Sequence, residues 1–163
     1  MSIVVPFDGS ALSRAALRRA NTFRGVLDER LVAVTVIPRS ERYARDRGWL
    51  DPGEAFSDRR VVATIHESVA NIAPAADFRH EFTDRRGAAG TVARKVRDMA
   101  RDEDASVVFI GSDNAGSLVS SVSSVGSTVA ADEAYDVFIV RHEDPAAGVA
   151  PSEEFREKSD FTL

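Results

Sequence analysis

No cysteine occurs among the 163 residues, which excludes disulfides, thiolate catalysis and Cys-type zinc sites together. Lysine is nearly missing as well: Lys95 and Lys158 stand alone, and every other strong base is arginine. Such an acidic, arginine- and alanine-rich chain fits a salt-adapted organism or merely a GC-rich genome, and a net charge of −5 does not separate the two. That charge also argues against a nucleic-acid partner. His66, His80 and His142 are scattered without ligand-like spacing, so no metal site is expected from them. No apolar run approaches the ~20 residues of a membrane span. The opening MSIVVPFDGS has no basic segment ahead of an apolar one and does not read as a secretion signal. A cytoplasmic protein with no membrane partner is the expectation.

Catalytic signatures are missing too. There is no Gly-x-Ser-x-Gly elbow, no Walker lysine and no His-Glu-x-x-His. A serine hydrolase built on the serine cluster at 117–127 would lack a base in any recognisable motif. A phosphoacceptor receiver would need an acidic pair near the first strand and an aspartate after the third. Asp84 falls near the second place, but Asp8 has no acidic neighbour. No catalytic residue is assigned, and a non-catalytic module is expected.

What the chain does contain is centred on Ser106 to Thr128, SVVFIGSDNAGSLVSSVSSVGST. The apolar run Val107 to Ile110 stops at Gly111, as a strand buried on both faces would. Gly111, Gly116 and Gly126 then space a loop of small residues and hydroxyls, and Val129 and Ala130 resume a helical pattern. A glycine-spaced turn from strand to helix is suited to phosphate, because the backbone comes close and free N–H groups meet the anion.

The rest alternates strands and helices. Ile3 to Pro6 reads as a strand that ends in Phe7-Asp8-Gly9-Ser10. Ser10 can cap a helix with Leu12, Ala16, Ala20 and Phe23 on one face, ending at Gly25 or Asp28. Leu31 to Ile37 is a second buried strand, and Arg39 to Gly48 reads as an exposed, charged loop. Asp51-Pro52-Gly53-Glu54 reads as a helix start with a capping box, followed by Val62, Ile65, Val69 and Ile72 at helical spacing and a stop at Pro74. Phe78 to Phe82 alternates as an edge strand does. Val92, Val96 and Met99 mark the inner face of the next helix. A helix over about Gly126 to Ala134 leads to a last apolar strand, Val137 to Val140.

This alternation predicts an α/β fold: a doubly wound, five-stranded parallel sheet of order 3-2-1-4-5 with helices on both faces. Its domain covers residues 1–141, and 142–163 form a tail, mobile or loosely docked. Strands one and four are neighbours in that order, where the winding reverses. Ligands of open α/β sheets bind at such a reversal, outside the carboxyl ends of the strands. Asp8 and Gly111 end those two strands.

The stretch VVPFDGS with its amphipathic helix resembles the opening of the universal stress protein family. VVFIGS with a later Gly-Ser is similar to that family's nucleotide motif, Gly-x2-Gly-x9-Gly-Ser/Thr. Gly116 and Gly126-Ser127 keep the second spacing, whereas Asn114 stands where the second glycine belongs. The resemblance implies a flavodoxin-like domain that binds an adenine nucleotide, ATP or AMP. It assigns Pro6, Asp8, Val36 and Ile110 to the adenosine end. Gly111, Asn114, Gly116, Gly126, Ser127 and Thr128 fall to the phosphates. It also implies a homodimer through the strand at 137–140. The alternative is a ligand-free interaction module of the same fold with a degenerate site. From Gly111 to Ala131 the one charged residue is Asp113. A triphosphate, with about three to four negative charges against about half a unit at a helix start, would therefore need Mg²⁺ or arginines from other segments.

Overall fold

The computed structural model describes residues 1–84, 89–112 and 134–143. Five strands form one sheet: β1 (Ser2–Pro6), β2 (Arg30–Pro38), β3 (Asp77–Thr83), β4 (Ala105–Gly111) and β5 (Asp136–Val140). Their order is β3-β2-β1-β4-β5, and every neighbouring pair is parallel. This is the doubly wound order that the alternation predicts.

The central strands are apolar throughout because both their faces are covered. Successive residues of β2 enter opposite cores. Leu31, Ala33 and Ile37 join one, with helices α1 (Ala11–Leu27) and α3 (Asp58–Ile72) packed over it. Val32, Val34 and Val36 join the other, under helix α4 (Ala89–Asp102). Edge strand β3 does not keep the expected alternation in its burial: Arg79 and His80 are both exposed, and Glu81 and Phe82 are both half-buried. Ser10 caps α1, its Oγ accepting from the Ser13 N–H at 3.3 Å. The helix ends on Asp28, left-handed at φ 53°, whose N–H donates to the Arg24 carbonyl. Phe23 lies at the margin of the inner face, 41% exposed, with its ring against Phe109 and Phe138.

Two further expectations are corrected. Arg39 to Gly48 is not a plain loop, for it holds a short helix α2 (Glu41–Asp46), capped by Ser40 and anchored by fully buried Ala44. The helix expected from Asp51 begins instead at Ser57, whose Oγ caps α3. The Asp51 N–H does donate to Glu54 Oε2 at 3.1 Å, which is half of a capping box. Gly53, however, takes φ 83° and breaks the right-handed run, so the segment closes as a turn. The helix expected over 126–134 and the tail from 144 onward lie outside the described residues. Just before them, the His142 carbonyl accepts from Arg19 on α1 at 2.9 Å.

Gly111 ends β4 for a steric reason. A Cβ there would lie 2.9 Å from Leu12 Cβ and 3.1 Å from the Leu12 carbonyl carbon, so α1 can approach β4 this closely only over a glycine. Gly111→Ala should therefore destabilise the protein by about 1–3 kcal/mol, the usual cost of overpacking. Denaturant melts read this directly, and an unchanged midpoint would show that α1 shifts freely.

Candidate functional site

The site starts from the end of β1, where the chain must leave the sheet for α1. Phe7 still follows the ladder, its N–H donating to the Val34 carbonyl at 2.9 Å. Gly9 then takes φ 83°, a left-handed conformation that favours glycine. The turn exposes three successive carbonyls, and each accepts from a side chain of a different segment. Phe7 O accepts from Thr35 Oγ1 at 2.6 Å, Asp8 O from Trp49 Nε1 at 2.9 Å, and Gly9 O from Arg14 Nε at 2.8 Å. The Asp8 side chain is thereby aimed rather than left to wander.

Both carboxylate oxygens of Asp8 are engaged. Oδ1 accepts the Ser10 N–H at 2.9 Å. Oδ2 is paired with the guanidinium of Arg47, which follows α2. That guanidinium also lies over the Tyr43 ring, 4.9 Å from its centroid, and Tyr43 packs in turn on Trp49. Burial alone would raise the Asp8 carboxyl, but hydrogen bonds from Ser10 and Ser13 and the Arg47 charge together hold it below the ordinary aspartate value. Burial pushes the Tyr43 phenol up, so it stays a neutral hydroxyl at physiological pH.

Beside this carboxylate is a cavity of about 60 Å³ at the carboxyl ends of β1 and β2, on the α4 side. Val34, Val36, Val92 and Val96 form its apolar wall, and Asp8, Tyr43 and Arg47 its polar rim. An apolar slot with one aimed acceptor suits a flat, partly apolar ligand bearing hydroxyl or amine donors. Among the described residues no group of three or more His, Cys, Asp or Glu comes together to hold a metal.

Of the residues singled out from sequence, Pro6, Asp8 and Val36 meet in this cavity. Ile110 is wholly buried in the same α4-side core, and Gly111 lies against Leu12. Asn114, Gly116, Gly126, Ser127 and Thr128 lie outside the described residues. Sequence reasoning missed Tyr43 and Arg47. Their i, i+4 spacing after Ser40, a cap residue, was the available signal, and the chain's one tryptophan follows two residues later.

A family model described as the universal stress protein family matches residues 1–141. A universal stress protein solved in complex with cAMP is 24% identical with a TM-score of 0.56, over 86% of this chain and 97% of that one. The universal stress protein from Archaeoglobus fulgidus in complex with dAMP is 18% identical with a TM-score of 0.57, over 86% and 98%. The universal stress protein UspA from Lactobacillus plantarum is 20% identical with a TM-score of 0.53, over 86% and 97%. No curated protein matches the chain in sequence. No helix among the described residues is long and apolar enough to cross a membrane.

The depressed Asp8 carboxyl has a consequence for acid stability. A group whose folded pKa is lowered stabilises the fold above its unfolded pKa and loses that contribution as pH falls through both values. Asp8→Asn keeps an acceptor for Ser10 but removes the charge facing Arg47. The variant should be less stable than wild type at pH 7, with the gap narrowing below about pH 4. Denaturant melts at pH 7 and pH 3 test this, and an equal gap at both would mean the charge contributes nothing.

Proposed function

The chain belongs to the universal stress protein family, and from that premise we propose that it is a cytoplasmic adenine-nucleotide-binding module of the stress response that carries out no catalysis. The observation that carries this reading is the meeting of Pro6, Asp8 and Val36 in one cavity outside the strand ends. The chemistry of the wall and rim fits an adenosine: valines for the faces of the base, and Asp8 to accept from a ribose hydroxyl or an amine. Two proteins of the same fold are in complexes with cAMP and dAMP. Gly126, Ser127 and Thr128, with Gly116 and Asn114, are the residues we assign to the phosphate.

A ligand of low charge suits this chain best. The stretch 111–131 has Asp113 and no basic residue, so a triphosphate would need Mg²⁺ or arginines from other segments. AMP should bind at least as well as ATP, and ATP turnover should be negligible. In a thermal-shift titration a ligand at ~100 times its Kd adds about 2.7 kcal/mol of stability. Asp8→Ala should abolish most of the shift with AMP. A much larger shift with Mg·ATP than with AMP at equal concentration would overturn the preference for low charge.

One observation favours the alternative, an interaction module with a degenerate site. The cavity of about 60 Å³ is far below the ~300 Å³ at which ligand pockets begin. A homodimer is part of both readings. Strand β5 pairs only with β4 among the described residues, and Phe138 on it is 39% exposed beside exposed Phe23. An apolar edge of this kind invites a second copy. Light scattering should give a dimer for wild type and a monomer for Phe138→Lys. A monomeric wild type at high micromolar concentration would defeat the assembly.

A further inference from the structure

The narrowness of the cavity has an identifiable cause. The cavity measures about 60 Å³, and the side chains on its rim are Tyr43 and Arg47, from α2 and its end. The backbone of α2 is anchored, because Ala44 is wholly buried and Trp49, just beyond, is buried and donates to Asp8 O. Arg47 is different. Its side chain is 35% exposed against 15% for Asp8, and among the described residues it is held to the rim by the Asp8 carboxylate and the Tyr43 face. A rotation of that side chain opens the rim without moving the helix.

We infer that Arg47 is a specificity residue that exchanges the Asp8 carboxylate for the phosphate of an incoming nucleotide, so that the site selects nucleotides over nucleosides. The inference rests on the adenine-nucleotide reading and names the cation of that site. Asp8 gives one oxygen to Ser10 and the other to Arg47, so a ribose hydroxyl that approaches the second oxygen competes with the guanidinium for it. A nucleoside gives the released guanidinium nothing in return. A 5′-phosphate does, because its oxygens match the guanidinium fork as a carboxylate does. In AMP that phosphate is carried on the 5′ oxygen of the same ribose that Asp8 would hold. Of the described residues lining the cavity, Arg47 is the one cation, in a protein whose glycine loop carries none.

Calorimetry with adenosine and AMP on wild type, Arg47→Gln and Arg47→Lys tests the exchange. Wild type should prefer AMP over adenosine by roughly ten- to hundred-fold, the worth of a charge-assisted hydrogen bond. In Arg47→Gln the preference should collapse towards unity, with adenosine binding several-fold tighter than to wild type because Asp8 is released. Arg47→Lys should keep part of the preference, since the charge remains and the fork is lost. If wild type and Arg47→Gln bind both ligands with the same ratio, Arg47 is not the selector and the nucleotide reading stands. If no variant binds either ligand, the nucleotide reading falls and this assignment falls with it. Binding of adenosine to Arg47→Gln alone, with none to wild type, would support the gating half of the exchange and fix its strength.

Discussion

Three carbonyls in a row at the end of β1 are the constraint from which the rest of the site follows. Phe7 is the last residue to bond to the ladder, Asp8 and Gly9 have not yet entered α1, and a buried carbonyl without a donor costs about 1–3 kcal/mol. Thr35, Trp49 and Arg14 supply the donors, one each from β2, from the segment after α2 and from α1. The turn is therefore a junction at which three pieces of the chain are tied to one another. A carboxylate on such a junction keeps its direction, and Asp8 is that carboxylate. Its position between Ser10 and Arg47 follows from how the turn is held.

Much of the fold was legible from residues 1–141 because its signals are local. Unbroken apolar runs, Ser10 ahead of the first helical pattern and Pro74 behind that of α3 give element type and order. Parallel winding then leaves few topologies, and the neighbours of β1 follow. The site was legible only in part. Pro6, Asp8 and Val36 could be placed because the strand ends that carry them were clear. Arg47 could not, since 39 residues separate it from Asp8 and its segment is dominated by charge. Highly charged stretches look solvated from composition, yet one buried alanine and a tryptophan suffice to dock this one. The turn at Asp51 misled in the opposite sense. Half of its Asp–Glu capping box exists, but a left-handed glycine two residues on outweighs the capping pattern.

Charge balance explains why the missing cation comes from α2. Two lysines in the whole chain leave arginine as the general cation, and arginine is the better partner for a carboxylate or phosphate met in a fixed plane. A guanidinium on the glycine loop would face whatever phosphate sits there permanently. Beside Asp8 it has the carboxylate as a second resting place, and its charge is balanced in both positions. That arrangement holds the carboxylate ionised while limiting access to it.

The two faces of the sheet differ in a way that decides where room for a ligand can exist. Phe7, Leu12, Leu17, Trp49, Leu50 and Phe109 all join the core under α1 and α3, and these large side chains fill that side to the strand ends. The opposite core is built largely from valines: Val4, Val32, Val34, Val36, Val96 and Val108. Valine is short and stiff at χ1, so it cannot reach forward to fill the space above the last residue of a strand. The space above Pro6 and Val36 is consequently left to whatever the rim supplies. There the rim supplies Tyr43 and Arg47, two long side chains reaching in from a docked helix. A cavity closed by side chains can open at the cost of rotamers and one ion pair, whereas one closed by packed core could open only by unfolding.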